Sequence, residues 1–309
     1  MRGALAPSLA RPRISRVRLR ENVDAYVFIA PWLIGFVCLT AGPMLASVVL
    51  SLSDWDLLNP LRLIGPGNFV EAVKDDLFWL SLYNTAYYTF VSVPLHLVAA
   101  LGAALILNMR LRWINYYRTM VYLPSITPSV ASAFLWMWIF NPDFGLANAA
   151  MDLLHLPHSM WIWDPDMAKP SLILMGLWTI GPQMVILLGG LQSVPESLYE
   201  AAAVDGAGLW HKFRHITLPM LSPIVFLCLV ISLIRSFQVF NLAYIMTQGG
   251  PANATLFYVL YLYRTAWESL RMGYASALAW ILFLVILAFT LLQWRLSRRW
   301  VYYEGELKR

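Results

Sequence analysis

Arg235 is the one charged residue well inside a long apolar stretch of this 309-residue chain, and Gln238 and Asn241 follow it at steps of three. On a helix that spacing sets the three polar groups along one broad side. A row of donors and acceptors of this kind suits hydrogen bonding to a polyhydroxylated solute. A lone ion in an apolar stretch turns towards protein or water, because exposure to lipid is costly. Trp136, Trp178 and Tyr244, with Trp138 and Phe140 beside them, offer aromatic faces that stack on sugar rings, although Trp and Tyr also gather at membrane interfaces. None of the four lysines, Lys74, Lys169, Lys212 and Lys308, follows a glycine, so the Gly-Lys-Ser/Thr loop that cradles nucleotide phosphates is absent. His211 and His215 stand four apart without a third ligand in view, which falls short of a metal site. No His, Cys or carboxylate cluster falls within the apolar stretches. The residues therefore predict recognition rather than catalysis, with no catalytic group and no metal ligand.

The elements that must position these residues are membrane helices. Hydrophobic residues make up 60% of the chain, charged residues 13%, and the mean hydropathy is +0.62, a balance that belongs in lipid. Near-continuous apolar runs lie at 26–53, 84–108, 119–140, 171–193, 220–246 and 273–294. Each is long enough for one helical crossing. The fold class expected is an all-α polytopic membrane protein with six transmembrane helices. Pro31, Gly42, Pro43, Pro94, Gly181 and Pro182 predict kinked packing. Cys38 and Cys228 sit inside apolar runs, the setting of buried filler rather than of a disulfide.

Charge sets the orientation. With the N-terminus inside, 16 of the 22 Lys and Arg fall on the inner side and five on the outer, Arg235 being within a span. The side richer in Lys and Arg faces the cytoplasm, so both termini are expected there. The net charge of +5 then reflects cytoplasmic edges, and nucleic acid is not an expected partner. The organisation predicted is a basic N-terminal tail over 1–25, a six-helix domain over 26–295, and a C-terminal tail over 296–309. Two outer loops, 54–83 and 141–170, carry Asp54, Asp56, Asp75, Asp76, Asp143, Asp164 and Asp166, acids suited either to a soluble partner or simply to solvent. All 17 acids fall outside the six runs, which counts against an ion-driven carrier with its charge at mid-membrane.

The fourth connection, over 195–219, carries a short helix. Ala201, Ala202 and Ala203 favour helix, Glu196 and Glu200 suit its N-terminal end, and Asp205-Gly206 is a stop signal. Too polar and too short to cross, it is expected to lie along the cytoplasmic face, where it acts as a lever on the spans at either end. Gly206 is expected at positive φ or in close approach to a partner.

Glu200-Ala201-Ala202, then Gly206 and the downstream Ile216, Leu218 and Pro219, closely resemble the signature of the inner-membrane components of binding-protein-dependent ABC importers. Ala30-Pro31-Trp32, Ser51-Leu52-Ser53-Asp54-Trp55, Tyr122-Leu123-Pro124 and Gly249-Gly250-Pro251 extend the likeness to most of the chain and point to the maltose-type first permease of the carbohydrate branch. The resemblance implies a type I importer transmembrane domain and a coupling helix between spans four and five. Glu200 and Gly206 would be central to its contact with an ATPase, and Ala201, Ala202, Ala203 and Asp205 secondary. It implies as partners a second permease subunit, two ATPase subunits that bind the ATP and Mg, an extracytoplasmic solute-binding protein, a sugar, and the lipid of a bacterial inner membrane. This chain itself would bind no cofactor.

Overall fold

Prolines and glycines decide where the apolar stretches run straight and where they break. The computed structural model describes residues 16–109 and 112–302. Of the basic residues in the charge argument, Arg2, Arg11, Arg13, Arg110, Lys308 and Arg309 lie outside the described residues. So do the side chains of Arg16 and Arg18, and positions 1–15 and 303–309 of the two expected tails.

The chain divides into a unit ending at Leu50 and a second beginning at Ser51. In the first, α1 (Arg16–Phe36) runs through one π turn, Val37–Ala41, into α2 (Gly42–Ser51). Pro43 has no N–H to return to the previous turn, and the widened turn instead lets the Gly42 N–H bond back to the Val37 carbonyl. Residues Arg20–Ser51 thus make one helix of mean hydropathy 2.2, long enough to span a bilayer.

The second unit opens with a small ladder, β1 (Ser53–Asp54) against β2 (Arg62–Leu63), antiparallel with Ser53 opposite Leu63. The buried Asn68 of α3 (Gly67–Lys74) donates to the Ser51 and Ser53 carbonyls at 2.9 and 2.8 Å, which fixes that ladder to the helix. Asp75 then caps α4 (Asp76–Leu107), accepting the Leu77 N–H at 2.9 Å.

The third apolar run is not one straight span. It consists of α5 (Ile114–Tyr122) with a 3₁₀ turn, Leu123–Ile126, followed by α6 (Ser129–Ile139), and the two pieces meet at 98°. Pro124 and Pro128 remove two donors within five residues, so the helix cannot be carried through. After α7 (Leu146–Leu153) and a 3₁₀ turn at Trp161–Trp163, the fourth run is also broken, α8 (Ala168–Leu177) meeting α9 (Gly181–Ser193) at 47°. Here glycine is a packing requirement: a Cβ at Gly181 would stand 2.7 Å from Ser125 Oγ and 2.8 Å from Tyr122 Cα, so this bend nests against the broken third span. Four helices, among the described residues, are long and apolar enough to cross unaided, and the count is six when each bent pair is taken as one broken span.

Beyond α10 (Glu196–Val204) comes α11 (Leu209–Lys212), which passes through a π turn, Phe213–Thr217, directly into α12 (Leu218–Phe237). The expected fifth span, drawn to 246, is too long. The last turn of α12 tightens, with Gln238 N–H on the Arg235 carbonyl and Val239 N–H on that of Ser236. Ser236 Oγ engages Leu233 O and Thr89 Oγ1 and so competes with the helical ladder. A π turn at Ala243–Thr247, then α13 (Tyr258–Tyr263) with its π turn Arg264–Glu268, lead to α14 (Met272–Ser297).

The scaffold of the site is α4, α9 and α12. Ala100, Ala104 and Leu107 of α4 are buried against Met184, Leu187 and Leu191 of α9 and Leu221, Val225 and Cys228 of α12. Small residues at such contacts bring backbones together where lipid supplies no hydrophobic drive.

Candidate functional site

Above that packed core the same three helices separate around a cavity of 310 Å³. Each helix presents one face at helical spacing: Tyr88, Ser92 and His96 from α4, Thr179, Gln183 and Ile186 from the bend and α9, and Cys228, Ser232, Arg235 and Ser236 from α12. The 47° bend between α8 and α9 lies at the edge of the cavity, Thr179 and Pro182 both belonging to the lining.

The polar groups here are partly tied to one another. Gln183 Nε2 donates to Ser232 Oγ, which itself donates to the Cys228 carbonyl at 2.6 Å. Thr179 Oγ1 donates to Gly176 O at 2.9 Å. His96 Nε2 is buried without a hydrogen-bond partner among the described residues. Arg235 is exposed in this chain, and its guanidinium has no carboxylate partner among the described residues. A charge at the centre of a membrane helix costs about 2.5–3.5 kcal/mol or more when it faces lipid. A water-accessible cavity is the setting that relieves this.

Of the residues singled out from sequence, Arg235 lines the cavity; Gln238, Asn241, Tyr244, Trp136 and Trp178 do not. The helical stripe expected through Arg235, Gln238 and Asn241 is interrupted, since α12 ends at Phe237. Gln238 caps the helix, and Asn241 lies beyond it with Nδ2 3.5 Å from Ser129 Oγ. The polar face continues in the opposite direction, to Ser232 and Cys228, and those steps of three and four were legible. Tyr244 stacks on Phe240 at 5.1 Å between ring centres and meets Tyr263 edge-on at 5.3 Å. Trp136 packs between Phe140 and Trp178 at 5.0 and 5.9 Å, its Nε1 buried and unpartnered among the described residues. Phe140 is only 1% exposed, so it belongs to the core and not to a solute surface.

The connecting segment has its own geometry. Pro195 precedes α10, Glu196 occupies the first turn, and Glu200 is exposed, as are Ala201, Ala203 and Asp205, with Ala202 half-buried. The helix closes in a Schellman motif: Ala207 N–H reaches the Ala202 carbonyl at 2.8 Å and Gly206 N–H that of Ala203 at 3.1 Å, with Gly206 at φ +78°. Nothing lies within 4 Å of a Cβ placed there, so the glycine answers to backbone conformation and not to crowding. Val204 and Leu209 are both 89% exposed and Trp210 is 69% exposed, which leaves an apolar ridge along the α10–α11 turn. Tyr199 Oη lies 2.9 Å from Oγ1 of the buried Thr217, at the entrance to α12.

In the two long loops, 54–83 and 141–170, several acids are already engaged. Asp75 accepts from Tyr274 Oη at 2.7 Å and from Tyr261 Oη as well as from Leu77 N–H. Partial burial pushes its carboxyl up, but these hydrogen bonds outweigh that and hold it below the usual carboxylate range. Asp56 closes its own turn through Leu58 and Asn59, and Asp164 does so through Asp166. His158 Nε2 pairs with Asp152 at 2.6 Å, and the rings of His211 and His215 stack at 4.5 Å.

Residues 93–302 match the family described as "Binding-protein-dependent transport system inner membrane component". The chain is 42% identical over 297 residues to the "Probable ABC transporter permease protein YesP" of Bacillus subtilis (strain 168), covering 94% of this chain and 96% of that one. It is 31% identical to the "Trehalose/maltose transport system permease protein MalF" of Thermococcus litoralis, over 92% of this chain and 97% of the relative. Its fold matches a chain in the crystal structure of a bacterial alginate ABC transporter in complex with an alginate pentasaccharide-bound periplasmic protein. That match has a TM-score of 0.81 at 24% identity and covers 93% of this chain and 98% of the other.

Proposed function

Since the chain belongs to the inner-membrane components of binding-protein-dependent transport systems, we propose that it is one of two permease subunits of an ATP-driven importer for a sugar or sugar derivative. The relative named for trehalose and maltose supports the substrate class. In this reading the chain sits in a bacterial inner membrane with both termini in the cytoplasm and binds no cofactor. An extracytoplasmic binding protein delivers solute, and two separate ATPase subunits hold the ATP and Mg. Hydrolysis belongs to those subunits, and this chain provides half of the path.

The observation that carries the reading is that one helix serves both ends of the process. α12 is entered through Thr217, which Tyr199 ties to α10, and some fifteen residues on it supplies Ser232, Arg235 and Ser236 to the cavity. At about 1.5 Å per residue the two ends lie about 22 Å apart. A soluble partner gripping α10 through Glu200, Ala201, Ala202, Ala203, Asp205 and Gly206, with the Val204–Trp210 ridge beside them, therefore moves the cavity wall through one unbroken rod. Closure of the ATPases on ATP swings α10, and the cavity opens to one face or the other. Asn241, Gln238, Tyr244, Trp136 and Trp178 border the path further out in this reading.

The test is uptake and ATP hydrolysis in proteoliposomes containing the chain, a second permease subunit, the ATPase and the binding protein. Glu200→Ala and Gly206→Pro variants that reach the membrane are expected to assemble poorly with the ATPase or to hydrolyse ATP without uptake. Transport by the chain alone without ATP, with both variants silent, would overturn the reading.

A further inference from the structure

The cavity contains one permanent charge and, among the described residues, no group that answers it. Arg235 is the sole Lys or Arg of the lining, and no Asp or Glu lines it. Resting on the reading that this cavity lies on a saccharide path, we propose that the solute is an acidic saccharide whose oxyanion pairs with the Arg235 guanidinium.

Three features carry this. A guanidinium stays protonated at any relevant pH, so Arg235 cannot escape its desolvation by losing the charge, as a lysine would. A neutral sugar is held adequately by amides and hydroxyls, and Gln183, whose amide spends one N–H on Ser232, lines the same cavity. A guanidinium donates to sugar hydroxyls as well, but only an anion neutralises its charge, and its planar fork matches a carboxylate or sulfate with two parallel hydrogen bonds. Ile186, Ile231 and Val239 complete the lining with the apolar surface that sugar C–H faces need.

The experiment measures equilibrium binding to the detergent-purified complex of both permease subunits with the ATPase, omitting the binding protein so that its own selectivity does not intervene. The probes are a uronic-acid trisaccharide, its carboxyl-reduced neutral counterpart and a sulfated trisaccharide. Uptake in proteoliposomes with the binding protein follows for each. Binding of either acidic probe over the neutral one, weakened about tenfold to hundredfold by Arg235→Gln and partly kept by Arg235→Lys, is the expected result. Which acidic probe binds better distinguishes carboxylate from sulfate. Equal binding of the neutral and acidic probes by the unaltered complex overturns the proposal while leaving the importer intact. So does an Arg235→Gln complex that keeps its selectivity but loses its second permease subunit, because Arg235 then pairs with that subunit. If no saccharide binds or is taken up and hydrolysis is never coupled to transport, the underlying importer reading falls too.

Discussion

The hydroxyls of Tyr199 and Thr217 lie 2.9 Å apart, the one on α10 and the other buried in the π turn that becomes α12. This pair is a side-chain link between the exposed helix α10 and α12, the rod that reaches the cavity. Tyr199→Phe removes one hydrogen bond, about 1 kcal/mol, and leaves the ring in place. More ATP is expected to be spent per solute imported, with unchanged membrane abundance. Thr217→Val should do the same. The double variant should be no worse than either single one, because both delete one interaction. Additive losses would show that the residues act separately.

Gly206→Ala tests backbone conformation alone. A Cβ there meets nothing, so the cost is that of holding an L residue at φ +78°, about 1–2 kcal/mol. Asn, which tolerates this region, should be milder than Ala, and Ala milder than Val. Co-purification with the ATPase subunit, compared across the three, reads the order.

At Gly181 crowding decides. An alanine would push Ser125 and the Tyr122 backbone apart where the two bent spans nest. Overpacking of this kind costs about 1–3 kcal/mol. The thermal midpoint of the detergent-solubilised chain should fall by several degrees in Gly181→Ala. In Gly35→Ala, where nothing lies within 4 Å of the new Cβ, it should hardly move.

Asp75 sets an acid limit. Its carboxyl is held below the ordinary value of 3.8 by Tyr261, Tyr274 and Leu77 N–H. A depressed folded-state value means that the stabilisation is complete above about pH 4 and disappears as pH drops through the folded value. Thermal midpoints between pH 7 and pH 3 should decline in the lowest part of that range. Asp75→Asn should start lower at pH 7 and decline less.

The number of spans was legible because six long apolar runs leave lipid as their only solvent, and the Asp205-Gly206 stop was legible because turn chemistry is local. The two breaks were only half legible. Pro124, Pro128, Gly181 and Pro182 announce a kink, but whether it opens 47° or 98° depends on what packs against it. Arg235 stood out as the lone ion. Its cavity neighbours Ser232 and Cys228 precede it on α12, and the helix end that follows was not legible because Gln238, Val239, Phe240 and Asn241 contain no Gly or Pro to mark it. Ser236, in the last turn of α12, bonds to Thr89, 147 positions away, a contact that no reading of a single segment supplies. Trp136 and Phe140 look alike in sequence as sugar platforms, and only packing separates a half-buried ring from a core one.

The unbroken run from Leu209 to Phe237 has a geometric consequence. At 29 residues it is about 43 Å long. A rod of that length turning about its middle by about 10° carries each end sideways by nearly 4 Å, in opposite directions. A push on the Leu209 end in one direction is then a movement of the Arg235 end in the other. Such a rocker needs no hinge of its own and no change in its internal hydrogen bonds; its amplitude is set by how far the neighbouring helices let its midpoint, near Leu221 and Val225, act as a fulcrum.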